Sequence, residues 1–399
     1  MDKRILIGTL SLLAASVTAQ PIAVGPPVPR NSQPWQMDHA NPARTGQSYY
    51  PGPASGQIAW TRRLAGGVYA IACNRQGQAI LGVSFHNQWW SNEMFAQAYN
   101  GDGTIAWRIK VQPYQWGASQ GVRSGPALDA GGNAWMNSSN GQLIKVSPQG
   151  DLLATVQRTS SFTNDSTPAL LGNGDIVQLQ ALTLAKYDAL GIQIWSNSAS
   201  SQTDVAVSPN GDCALGGVRT NEPHGSIDLT YFGADGTRRW GLSSSRGVRT
   251  QVCFGSDGTL FANRGGTVAY RPDGSVVWAA GPGGWGCALD GLGHVLVPQS
   301  NQLNAFNRSN GTLAWNRTLP AFSSIVEGPS IDGLNNIYLA TTDGWLYGLR
   351  GSSGTVFISV KVGATCTTQP AIGAGNCLFV GVTKEVSPNW YENYLVKVN

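Results

Sequence analysis

Charge is what this sequence lacks most. Lys and Arg number 26 and Asp and Glu 22 in 399 residues, or 12% charged, about half the share usual in globular chains. Surface helices need a charged, solvated stripe, and few segments here supply one. The net charge of +4 comes without a basic run or basic-aromatic stripe, which argues against nucleic acid as a partner. After the first residues, no run approaches the about 20 apolar residues of a membrane-spanning helix. No two of the six cysteines (Cys73, Cys213, Cys253, Cys287, Cys366 and Cys377) are adjacent. No Cys-x-x-Cys-His stands ready to attach haem. The four histidines, His39, His86, His224 and His294, fall in different parts of the chain without metal-ligand spacing.

What the chain has instead is glycine, 51 residues of it, with many Asn, Ser and Thr between β-branched and aromatic runs. That composition points to an all-β protein full of turns. Asp-Gly occurs seven times and Asn-Gly five. Both are favoured in two-residue hairpin turns, whose central residues need positive φ.

One pattern organises the rest: a glycine followed four residues later by tryptophan. The pairs are Gly56/Trp60, Gly103/Trp107, Gly191/Trp195, Gly236/Trp240, Gly274/Trp278 and Gly311/Trp315. Two degenerate copies pair Gly150 with Ala154 and Gly354 with Ile358. Glycine lets a neighbouring group approach the backbone closely, and an indole needs a flat surface to pack on. The pattern therefore reads as a lock between repeating units, with Trp60, Trp107, Trp195, Trp240, Trp278 and Trp315 as the docking residues.

The eight markers are 37 to 47 residues apart. A period near 40–45 with about four strands per unit is that of propeller blades. The chain ends on Tyr394–Asn399, which reads as a third strand. The repeats open on 56–60, an orphan fourth strand. Pairing the two completes an eighth blade and closes the ring, leaving only short protected edges. The expected fold is an eight-bladed, all-β propeller of four-stranded antiparallel blades over 56–399, preceded by an irregular segment at 20–55. Within that segment Trp35 to Gly46 is expected to lie across one face.

The run from Ala305 through Gly311 to Trp315 resembles the tryptophan-docking repeat of the pyrroloquinoline-quinone (PQQ) propellers, Ala-x-Asp-x-x-Thr-Gly-x-x-x-Trp. Asn307 stands in the Asp place and Asn310 in the Thr place. The run from Ala185 to Trp195 is similar at Ala, Gly and Trp. The resemblance covers about residues 35–399. It implies a quinoprotein-like propeller, in a family that includes quinone-dependent alcohol and sugar dehydrogenases. Some of these carry adjacent cysteines near the cofactor, a calcium held by acidic and amide side chains, and an Asp base. Here no cysteines adjoin, and the acids mostly stand in turns: Asp102, Asp235, Asp257, Asp273, Asp290, Asp332 and Asp343. The chain looks more like the non-catalytic branch, which includes the lipoprotein of the outer-membrane assembly machine, but no cysteine stands directly after Ala19, where a leader is expected to be cleaved, to carry a lipid.

Two short spellings match enzyme motifs without their context. Gly117 to Gly121 spells the hydrolase elbow, but in a loop between blades with no strand-to-helix turn. Gly281 to Gly286 spells a dinucleotide fingerprint, but more strand follows it and no helix. No catalytic residue, cofactor or metal ligand is assigned.

Residues 1–19 read as a secretory signal. Lys3 and Arg4 precede an apolar stretch from Ile5 to Val17, and Val17-Thr18-Ala19 is a small-residue cleavage site. A secreted or periplasmic protein follows. In such a compartment the cysteines are either disulfides or buried thiols.

Three units have an insertion between second and third strands, at 85–93, 219–226 and 384–393. The first and eighth blades become neighbours on closure. Trp89, Trp90, Tyr114, Trp116, Trp390 and Tyr391 are thus candidates for a partner-binding surface, or for a small satellite core. The reading is a non-catalytic propeller that binds a protein or a polysaccharide. The alternatives are a PQQ-dependent dehydrogenase and a glycan-active enzyme with a carboxylate pair in the channel or cleft.

Overall fold

The computed structural model describes residues 33–87, 91–112, 124–137, 142–156, 166–180, 183–199, 204–216, 227–243, 251–281, 283–320, 324–387 and 390–399. The described residues contain strands and turns, with no helix. The strands form eight antiparallel sheets arranged as a propeller.

Blade 1 is built from Gly67–Cys73, Ala79–Asn87, Ser91–Tyr99 and Ile105–Gln112. Blades 2 to 7 repeat this meander, with two-residue first strands such as Ala127–Leu128, Ala206–Val207 and Ser330–Ile331. In blade 8 the first strand is split into Thr365–Cys366 and Ala371–Gly373, and both pair with Cys377–Ser387. Its third strand, Trp390–Val398, then pairs with Ile58–Arg63 from the other end of the repeat region. Ile58 lies opposite Val398 and Thr61 opposite Val396. The expected closure is therefore present, and it leaves neither end strand unpaired.

Burial runs outward from the axis. First strands are buried, as are second strands such as Ile176–Gln180 and Asn336–Ala340. Fourth strands face solvent except at the docking position, as in Gln193–Ser198 and Leu313–Thr318. The apolar core is a ring of clusters, each bridging neighbouring blades. One joins Leu296, Leu303 and Ala305 of blade 6 to Ile331, Ile337 and Tyr347 of blade 7.

The turns differ from the expected two-residue type. In 100–104, Gly103 N–H donates to Asn100 O at 2.9 Å, and Asn100 N–H donates to Thr104 O at 2.8 Å. Only Gly103 has positive φ, at 83°. This is a three-residue loop, a type I turn closed by a glycine bulge. The Asp side chain favours it by accepting an N–H two residues ahead: Thr104 donates to Asp102, Thr237 to Asp235, Thr259 to Asp257 and Ser275 to Asp273. At Asp290-Gly291 and Asp332-Gly333 the pair opens the turn instead. Positive φ then falls on Gly293 and Asn335.

Candidate functional site

A two-residue first strand leaves its inner edge facing the axis, with N–H and C=O groups that must find partners. Residues 35–46 supply them. Trp35 exchanges backbone bonds with Cys73 of blade 1, at 3.3 and 2.8 Å. Gln36 O accepts from Leu128 N of blade 2 at 2.8 Å, and Gln36 Nε2 donates to Leu170 O of blade 3 at 3.1 Å. Pro42 O takes Val207 N of blade 4, Ala43 O takes Phe254 N of blade 5, and Thr45 O takes Leu289 N of blade 6. Gly46 O takes Ile331 N of blade 7 at 2.7 Å. The segment expected across one face thus winds around the axis as a plug, at the end where first and second strands join. Trp35, Met37 and Ala43 are buried against the blades.

Such winding requires unusual backbone. His39, Ala40 and Arg44 have positive φ, at 56°, 72° and 56°. Glu327, which faces the plug from just before the first strand of blade 7, has φ 53°. These are four of the seven described non-glycine residues in that region. Each costs on the order of 1–3 kcal/mol and persists only where its surroundings over-determine it.

The plug and the blades enclose a polar centre. Arg44, 1% exposed, bridges two carboxylates. Its Nη1 is 3.1 Å from Asp38 Oδ2 and its Nη2 is 3.2 Å from Asp204 Oδ2, while Nε donates to Val205 O at 2.8 Å. His39 is also 1% exposed, and neither of its ring nitrogens has a hydrogen-bond partner. Its Nε2 stands 3.7 Å from Asp38 Oδ2. Burial, and then the Arg44 charge, pull its pKa down to about 3. The imidazole is therefore neutral, and its contact with Asp38 is not an ion pair. The ring also rests on Gly328, where an added Cβ would come within 2.7 Å of Cε1. Glu327 accepts the Gln369 N–H at 3.1 Å. Burial, and next the Asp38 charge, raise the Glu327 pKa well above the usual carboxylate range. Burial, partly offset by Arg44, pushes Asp204 up to about 6. Asp38, His39 and Glu327 bring three potential ligand atoms within 4.8 Å of one another.

Sequence reasoning placed acids in turns and histidines apart, and so missed this cluster. Asp204 and Glu327 lie just ahead of the first strands of blades 4 and 7, as Gln369 lies ahead of Ala371–Gly373. An acid at that position, and not in a turn, was the available signal. Of the other histidines, His294 Nδ1 lies 2.7 Å from Asp290 Oδ2 within a turn. His86 lies on strand Ala79–Asn87, and His224 is outside the described residues.

The tryptophans marked in the sequence each meet the following blade. Trp60 Nε1 donates to Gly101 O at 3.0 Å, Trp107 to Pro148 O at 2.9 Å, and Trp195 to Ala234 O at 3.1 Å. Trp240 donates to Pro272 O at 2.9 Å, Trp278 to Arg308 O at 2.8 Å, and Trp315 to Gly351 O at 3.0 Å. The indoles lie over Gly103, Gly150, Gly236, Gly274, Gly311 and Gly354, where an added Cβ would fall 2.5 to 3.2 Å from the ring atoms. At the degenerate copies, Val156 packs on Gly191 and Ile358 on Gly56.

Of the partner-surface candidates, Trp89, Trp90, Tyr114 and Trp116 lie outside the described residues. Trp390 begins the third strand of blade 8. Tyr391 follows it, 52% exposed and opposite Glu385. The segments read as insertions in blades 1 and 8 are largely strand. Pairing runs out to Asn87 opposite Ser91 and to Ser387 opposite Trp390. The six cysteines are all buried and none forms a disulfide, though Cys253 and Cys287 bring their sulfurs 2.8 Å apart across a blade boundary.

Residues 224–385 match the family model described as outer membrane protein assembly factor BamB. The repeat is of the PQQ type. Among solved structures, this PQQ-type propeller is similar to quinohemoprotein alcohol dehydrogenase from Comamonas testosteroni. The TM-score is 0.70 at 12% identity, over 93% of this chain and 81% of that one. A europium-containing methanol dehydrogenase gives 0.67 at 12% identity, over 92% and 99%. BamB from Moraxella catarrhalis gives 0.55 at 16% identity, over 85% and 99%. At these identities the likeness is one of fold alone. No curated protein sequence matches the chain.

Proposed function

We propose that this protein is an exported propeller that binds a protein partner on the face where second and third strands join. The observation that carries the reading is the length of two adjacent hairpins. Among the described residues, second strands have four to six residues in blades 2 to 7, but nine in blade 1 and 11 in blade 8. Blades 1 and 8 are neighbours, so these two long hairpins stand side by side on that face. Val386 and Tyr391 are exposed on the second of them, at 49% and 52%. The opposite end of the axis is filled by the chain's own plug. The match to the BamB family model favours a protein over a polysaccharide partner. Residues 1–19 are the export signal in this reading.

A photo-crosslinking amino acid at Tyr391, introduced in the cells of origin, tests it. Discrete protein adducts are the expected result, with none from Leu334, which is 70% exposed in a turn on the plugged face. Equal labelling from both positions, or retention of the protein on glycans with no protein adduct, refutes it. Dye-linked alcohol oxidation after addition of PQQ and calcium would establish the dehydrogenase reading instead.

A further inference from the structure

We propose that Asp38, His39 and Glu327 form a binding site for one divalent first-row transition-metal cation, which fastens the plug to blade 7. Three observations converge on it. The first is the donor set. One imidazole nitrogen and two carboxylate oxygens lie within 4.8 Å of one another. The His39 Nε2 to Asp38 Oδ2 separation is 3.7 Å. Two ligands each about 2.1 Å from a common ion at a tetrahedral angle stand about 3.4 Å apart, so a small closing shift brings this pair onto one ion. Imidazole with carboxylate suits manganese or zinc, whereas calcium takes six to eight oxygens.

The second observation is His39 itself. It is buried and without a hydrogen-bond partner at either nitrogen. A buried polar group left unpaired is costly, and a ligated ion gives one of the two ring nitrogens a partner. The Gln369 side-chain oxygen is buried without a partner as well, on the residue whose N–H binds Glu327.

The third is charge. Asp38, Asp204 and Glu327 face Arg44, whose guanidinium binds the first two. Three carboxyl groups share this one guanidinium, and a divalent cation supplies them with a second positive centre. Arg44 then acts as an outer partner, orienting the Asp38 carboxylate as ligand-supporting groups commonly do.

The test uses the untagged full chain, stripped with EDTA and titrated with Mn²⁺ and with Zn²⁺. After gel filtration the metal content is measured by mass spectrometry, with the melting temperature alongside. The expected result is about one metal per chain with a raised melting temperature. Glu327→Gln and His39→Asn should each weaken binding by tenfold or more, while Asp343→Asn, at a turn, should leave it unchanged. Should a variant fail to fold, X-ray absorption on the zinc-loaded wild type decides, since the site requires a nitrogen at about 2.0–2.1 Å. Substoichiometric metal, unchanged affinity in folded variants, or an all-oxygen shell would overturn the proposal.

Discussion

Replacing Trp278 by alanine tests the lock between blades. The side chain is 7% exposed, packs against Phe261 with ring centroids 5.9 Å apart, and covers Gly311 of the next blade. A tryptophan buries roughly 150–250 Å², which at about 25 cal/mol per Å² is about 4–6 kcal/mol of transfer energy. The Cβ that remains recovers part of this, and the Arg308 carbonyl loses its 2.8 Å donor. A loss of about 3–5 kcal/mol is expected, the usual range for such truncations. Gly311 supplies the second arm. Its φ is 72°, and a Cβ there would lie 2.5 Å from the Trp278 ring. Gly311→Ala is thus destabilising for two reasons in the wild type, but only for its backbone in Trp278→Ala. Urea unfolding followed by circular dichroism on the four chains gives the double-mutant cycle. A coupling of at least about 1 kcal/mol is expected, while Trp285→Ala, at a 61% exposed site, should stay within about 0.5 kcal/mol of wild type. A Trp278→Ala loss below about 1 kcal/mol, or additive effects, would refute the lock.

Arg44→Met should destabilise by about 3–5 kcal/mol, because it strands Asp38 and Asp204 as unpaired buried carboxylates; urea midpoints check this. Burial pushes the thiols of Cys213 and Cys366 up to about 12 and that of Cys377 up to about 11. The folded protein should therefore resist alkylation at these sites at pH 8, where the urea-unfolded chain reacts, as peptide mass spectrometry will show. The sign for stability follows. Raised thiol pKa values contribute stability that is fully present below the unfolded value near 9 and is lost as pH rises through 11 to 12. Unfolding midpoints should fall across that window, and Cys213→Ser should flatten the fall.

The blade count and the seam were legible because both rest on local spelling. A glycine with an indole four residues on marks each outer strand, and the orphan strand at Ile58 matches the orphan at Val396. Turn type was misread because Asp-Gly favours a tight two-residue turn, whereas Asp102 and its counterparts accept an N–H two residues ahead and hold a longer loop. The hairpin of blade 8 was read as an insertion because its outer residues, 385–387, are exposed and no core face enforces alternation there. The axial cluster was hidden for another reason. Asp38 and Glu327 meet only because the ring closes around the plug, and no spacing within one repeat encodes that.

The plug closes one end of the axis and supplies two of the three ligands of the cation site. Hydrogen–deuterium exchange tests it through the amides of Val207, Phe254, Leu289 and Ile331, whose acceptors lie on residues 42–46. Slow exchange at all four, lost together when residues 33–48 are deleted, is the predicted result. Fast exchange in the intact chain, or protection that survives the deletion, would contradict it.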